Sequence, residues 1–161
     1  MKAARWIALL VFVVLSFAAG LIGQFAGGGS PGAWYRLLAK PSFTPPGWVF
    51  APVWSLLYLM MGVAAWRVWL RRAEARTAWP LALFFVQLAL NATWSVLFFG
   101  LHRIDWAFLD IVALWVAILA TVVLFFRVRA AAGWLMIPYL AWVSFASLLN
   151  AELWRLNGPT G

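Results

Sequence analysis

Residues 106–126 read WAFLDIVALWVAILATVVLFF, and Asp110 is the single charged side chain among them. At about 1.5 Å of rise per residue, a helix of this length crosses the roughly 30 Å hydrocarbon layer of a bilayer. The run lacks the strict alternation of a barrel strand, and lipid offers no partner to an unpaired backbone group, so a helix is required. Working outward, residues 6–25, 47–70, 78–101 and 133–154 form four more apolar stretches near the same length. Polar clusters separate them: Arg71, Arg72, Glu74 and Arg76, then His102, Arg103 and Asp105, then Arg127 and Arg129. Asp105 is placed to cap the fourth helix. The expected fold class is an all-α membrane protein, a bundle of five transmembrane helices forming a single domain over residues 1–161.

Composition agrees. With 66% hydrophobic and 10% charged residues, the chain has too little polar surface to coat a water-soluble globule. Its net charge of +8 is spread in ones and twos between apolar runs. That distribution fits a membrane surface and no nucleic-acid partner. One histidine, no cysteine and scattered acids make neither a metal site nor a nucleophile triad. Gly27, Gly28 and Gly29 lack the strand and lysine of a phosphate loop. No catalytic residue, metal or cofactor is expected. Asp110 lies inside a span and is a functional candidate by default, although pairing with a neighbouring helix is the expectation. Glu152 and Arg155, three apart, are expected to form a helical ion pair.

Basic residues give an orientation. The side that holds the N-terminus has Lys2, Arg5, Arg67, Arg71, Arg72, Arg76, Arg127 and Arg129, and the other has Arg36, Lys40, Arg103 and Arg155. The positive side faces the cytoplasm, which puts the N-terminus inside a bacterial cell membrane. The competing reading of the first stretch is a signal peptide cleaved near Ala18, Ala19 and Gly20. Against it, the apolar run continues past that point, and Ala19, Gly23 and Gly27 repeat at a spacing that permits close helix packing.

The connection over residues 26–46 is far longer than a turn and contains Pro31, Pro41, Pro45 and Pro46. Loops of that length in compact domains are usually either functional or disordered. A short amphipathic helix is expected over residues 33–40, with Thr44 extended before Pro45 and Pro46 at a first helical position. The loop reads as an ordered lid between the first two membrane helices.

Thirteen tryptophans must be divided between anchoring and binding. Trp6, Trp66, Trp69, Trp79, Trp106, Trp134 and Trp154 sit near span ends, where indoles favour the headgroup boundary. Trp54, Trp94, Trp115 and Trp142 fall deeper, where the indole N–H needs a partner or a polar cavity. On the second membrane helix Phe50, Trp54 and Tyr58 recur every four residues and share one stripe. Gln87, Asn91, Trp94 and Phe98 share a face of the third, and Tyr139, Trp142, Ala146 and Asn150 a face of the fifth. Pro138 removes a backbone donor there. Amides in an apolar span must bond across helices or line a wet cavity. The three stripes describe a pocket for a large flat ligand; plain helix packing is the alternative.

These residues also form ordered motifs. The segment WYRLLAKPSFTPPGWVFAPVW at 34–54 is followed by QLALN at 87–91, FFG at 98–100, WAFLD at 106–110, PYLAW at 138–142 and LN at 149–150. In this order they resemble the TspO/MBR family of tryptophan-rich membrane proteins. The resemblance implies a five-helix bundle, often a homodimer, whose cavity lies under the first loop. It implies a receptor, sensor or transporter for porphyrins such as protoporphyrin IX and for benzodiazepine-type ligands. Carried over by position, the ligand-binding residues are Trp34, Phe50, Trp54, Tyr58, Asn91, Trp106, Trp142, Ala146 and Asn150. The lid motif is Lys40, Pro41, Pro45, Pro46 and Trp48. Porphyrin enters as ligand and not as cofactor. Two departures stand out: Ser42 precedes Phe43 where many relatives have a tryptophan, and Ala151 and Glu152 occupy the place of the tyrosine in the family's sterol motif. The resemblance leaves two alternatives, light- and oxygen-dependent porphyrin breakdown and a structural membrane scaffold.

Overall fold

The computed structural model describes residues 2–26 and 33–160. It consists of α1 (Lys2–Ala26), a short α2 (Ala33–Leu37), α3 (Phe50–Trp69), α4 (Ala78–Ser95), α5 (Ile104–Val128) and α6 (Ala130–Asn157). A 3₁₀ turn, Gly47–Val49, leads into α3, and a π-helical segment, Val96–Gly100, extends α4. No strand occurs among the described residues. Five of the helices are long and apolar enough to cross a membrane. The protein is therefore an integral, multi-pass membrane protein.

The bundle is a closed ring. In order around it, α1 packs on α3, α3 on α6, α6 on α5, α5 on α4, and α4 returns to α1. Two glycines permit the tightest approaches. A Cβ on Gly62 of α3 would stand 2.6 Å from the Val13 backbone of α1, and one on Gly20 of α1 would run into the Tyr58 ring. Close backbone contact through small residues is how helices associate in lipid. Of the expected stripe of Ala19, Gly23 and Gly27, Ala19 is buried, while the burial of Gly23 and the whole of Gly27 lie outside the described residues.

The two ends of the ring differ. Toward the end with the α3–α4 and α5–α6 turns, Met61, Val68, Phe84, Ile118, Phe125 and Met136 are fully buried and fill the interior. Toward the other end the helices splay around a cavity, and the lid crosses it.

Several local expectations need correction. The lid helix stops at Leu37 because Lys40 precedes Pro41, which pushes the chain out of helical geometry before it arrives. Pro46 stands before the 3₁₀ turn and not inside a helix; its carbonyl accepts from Val49 N at 3.0 Å. Asp105 does not cap α5. The helix begins one residue earlier, at Ile104. The carbonyl of Pro159 accepts from Ile104 N at 2.8 Å, while the Asp105 carboxylate takes Arg103 Nε at 2.8 Å. Asp110 was expected to pair, yet its buried Oδ2 has no partner among the described residues. Glu152 and Arg155 do pair, at 2.8 Å.

Candidate ligand cavity

All five membrane helices and the lid contribute to one cavity of about 600 Å³. Its floor is a buried polar chain. Tyr58 Oη donates to Asn91 Oδ1 at 2.8 Å, and Asn91 Nδ2 donates to Tyr139 Oη at 3.2 Å. Tyr139 is fully buried beneath the cavity, so Asn91 links the cavity to the packed core. Gln87, one turn before Asn91 on α4, is fully buried and is not on the cavity wall; among the described residues its Nε2 reaches only Met61 Sδ, at 3.9 Å.

Two aromatic walls rise from this floor. On α3, Trp54 stacks on Tyr58 with ring centroids 5.3 Å apart, as the four-residue spacing requires. Across from it, Trp142 of α6 meets Phe50 edge to face at 5.9 Å. Between them Ala146 contributes a single methyl, and Gly20 contributes none, which leaves the space open. On α4 the rings of Trp94 and Phe98 stack at 5.0 Å, and Phe99 turns its edge to Phe98 at 4.9 Å. The π segment widens this turn, so that Ser95, Phe98 and Phe99 all face inward. The polar groups of this wall satisfy one another: Trp94 Nε1 donates to Asn150 Oδ1 at 3.0 Å and Asn150 Nδ2 to Ile104 O at 3.1 Å.

The lid closes the top with Tyr35, Lys40, Thr44 and Pro45. Burial raises the Tyr35 phenol above its ordinary value, so it stays neutral and free to hydrogen-bond. Lys40 is the one cation on the cavity wall among the described residues. Its Nζ lies 4.8 Å from the Tyr35 ring centroid and donates to the carbonyls of Arg36 and Leu38 at 3.2 and 3.1 Å. Thr44 folds back on Pro41, its N and Oγ1 both donating to Pro41 O.

The lid is held down from the far end of the sequence. Gly158, at φ 76°, ends α6 in a conformation that glycine adopts without strain. Just before it, Asn157 reads the lid backbone twice: Ala39 N donates to its Oδ1 and its Nδ2 donates to Ala39 O, each at 2.8 Å. Past it, Thr160 O accepts from Trp34 Nε1 at 3.1 Å.

Of the carried-over binding residues, the structure brings Phe50, Trp54, Tyr58, Asn91, Trp142, Ala146 and Asn150 to the cavity wall. Trp34 and Trp106 are not on it. Trp34 packs on the outer side of Phe98 and stacks on His102 at 4.2 Å. Trp106 is 54% exposed, as its anchoring role at a span end requires. Ile111 and Leu114 are the α5 residues that do line the cavity. Trp106, five residues before Ile111, is turned about 140° away from it. Of the lid motif, Lys40 and Pro45 line the cavity, Pro41 anchors the Thr44 turn, and Pro46 and Trp48 are exposed. Periodicity within single helices missed Phe17, Gly20, Tyr35 and Phe99, whose inward placement depends on how neighbours meet.

A family model described as TspO/MBR matches residues 12–155. The chain belongs to the TspO/MBR family. Its relatives in that family include Protein CrtK of Rhodobacter capsulatus, 42% identical over 150 residues that cover 92% of this chain and 94% of that one. The translocator protein of Homo sapiens is 37% identical, with 94% and 91% covered. The tryptophan-rich sensory protein of Cereibacter sphaeroides is 36% identical, with 94% and 92% covered. Membership of the TspO/MBR family and the five apolar helices agree on an integral, multi-pass membrane protein.

Proposed function

We propose that this protein is a membrane receptor, sensor or transporter that holds a planar, largely apolar ligand of the tetrapyrrole class, with benzodiazepine-type molecules as competing ligands. The observation that carries the reading is the cavity between Trp54 and Trp142. It falls within the range of roughly 300–1,000 Å³ typical of small-molecule pockets, with aromatic walls and few polar groups. Rings above and below a flat ligand supply stacking as well as apolar burial. The names of two relatives, translocator protein and tryptophan-rich sensory protein, are consistent with a receptor, sensor or transporter. A cavity of this size lined by aromatic rings supports a binding role over that of a scaffold held together by helix packing alone.

The test is a titration of the purified protein with protoporphyrin IX in the dark. Tryptophan fluorescence is expected to fall saturably, and the Trp54→Phe, Trp142→Phe double variant to bind on the order of tenfold more weakly, as the smaller stacking faces of two phenyl rings imply. Quenching that never saturates would sink the reading. Repeating the titration under light tests the photo-oxidative alternative, which needs the pigment to decay faster than in empty micelles. The same proposal includes a cytoplasmic N-terminus in a bacterial cell membrane, supported by the arginine excess at that end, and a homodimer, supported by the family resemblance.

A further inference from the structure

The end of the bundle opposite the lid is packed solid, and its arginines take no part in the cavity. In the stretch 67–76 the chain has Arg67, Arg71, Arg72 and Arg76 against one acid, Glu74. Glu74 is taken by Arg71 at 2.7 Å on exposed surface. Arg67, Arg72 and Arg76 have no carboxylate partner among the described residues.

Two of these side chains are already prepared for an acceptor. The Arg72 guanidinium lies 3.5 Å from the centre of the Trp69 ring, and its Nη1 donates to Trp69 O at 3.2 Å, so its plane is fixed in advance. Arg67, in the last turn of α3, is half-buried, and its Nε is covered and has no hydrogen-bond partner among the described residues. A guanidinium drawn partly out of water with a donor unmet is costly until an anion compensates it. The depth of these groups identifies the anion. Trp66, Trp69 and Trp79 sit at the same end of the spans, where indoles mark the headgroup layer. The acceptor at that level is a phosphodiester, and arginine forks match its geometry.

We propose that the α3–α4 turn is a binding site for the headgroup of an anionic phospholipid, with Arg72 on the phosphodiester and Arg67, Arg71 and Arg76 supplying the surrounding positive field. A lipid whose headgroup carries its own cation competes poorly, because that cation meets the same arginines. The site is independent of the cavity and of its ligand.

The experiment compares phosphatidylglycerol with phosphatidylcholine of the same acyl chains, added to the detergent-purified protein, with inorganic phosphate as a third arm. Native mass spectrometry is expected to retain phosphatidylglycerol preferentially, and the thermal midpoint to rise with it and not with the other two. Each arginine removed is expected to weaken retention about fivefold, so that Arg67→Gln, Arg72→Gln loses it roughly twentyfold while Arg36→Gln at the lid leaves it unchanged. If loss of the half-buried Arg67 prevents folding, the exposed pair Arg71→Gln, Arg76→Gln carries the same expectation. Equal retention of the two lipids, an equal shift from inorganic phosphate, or variants that hold phosphatidylglycerol as the parent does, would each overturn the assignment.

Discussion

At the residue scale, Asn91 does the most with the least. Its Oδ1 accepts a hydrogen bond from the Tyr58 hydroxyl and its Nδ2 donates one to Tyr139 Oη, so one amide satisfies two buried phenols. Asn91→Leu, of similar volume, leaves the Tyr58 hydroxyl without an acceptor at a cost of about 1–3 kcal/mol. The expected result is a thermal midpoint in detergent lowered by several degrees; an unchanged midpoint would mean that water replaces the amide. Ala146 is the opposite case. Ala146→Phe fills space between the aromatic walls, and is expected to abolish saturable porphyrin quenching while leaving the midpoint near that of the parent protein. Both residues were legible in the sequence, because an amide in an apolar span needs a reason and a small residue in an aromatic stripe leaves a gap. Tyr35 was not, because nothing in its own segment says that the lid folds inward there. Asp110 remained unpaired for a related reason: spacing shows that an acid is inside a span, but not what the facing helix offers it.

At the element scale, the lid depends on α6. Its backbone at Ala39 is gripped by Asn157 through the same pair of bonds that a neighbouring strand would make. Asn157→Ala removes both. Hydrogen exchange at the Ala39 amide is expected to rise by at least tenfold with little change in global stability, and bound ligand to leave faster. Exchange at the parental rate would show that Trp34 and the Thr44 turn hold the lid unaided. The five spans could be read because lipid permits so few solutions; α1, α5 and α6 run further than their apolar stretches, since long basic side chains at their ends reach back to the surface, while the other two stop within one residue of theirs. The Asn157 contact joins residues 118 apart, and no local pattern announces a partner at that distance.

At the scale of the whole molecule, a closed ring with one packed end and one hollow end gives the protein a direction. The absence of cysteine makes that direction measurable. Single cysteines introduced at Arg76 and at Ser42 are expected to react with an impermeant maleimide from opposite sides of the membrane, Arg76 from the cytoplasmic side; labelling of both from one side would refute five crossings. The ring also explains what sequence alone could not order, since which helix neighbours which is decided by glycine contacts and ring edges that only meet after folding. The widened turn at Val96–Gly100 has a consequence for how such chains can vary in length. It stores one residue more than a regular turn, so a descendant lacking a single residue there could anneal into ordinary α-helix without breaking the span. The repair would rotate everything beyond it by about a quarter of a circle, swinging the perch of Trp34 out from under the lid and leaving an intact bundle that no longer shuts.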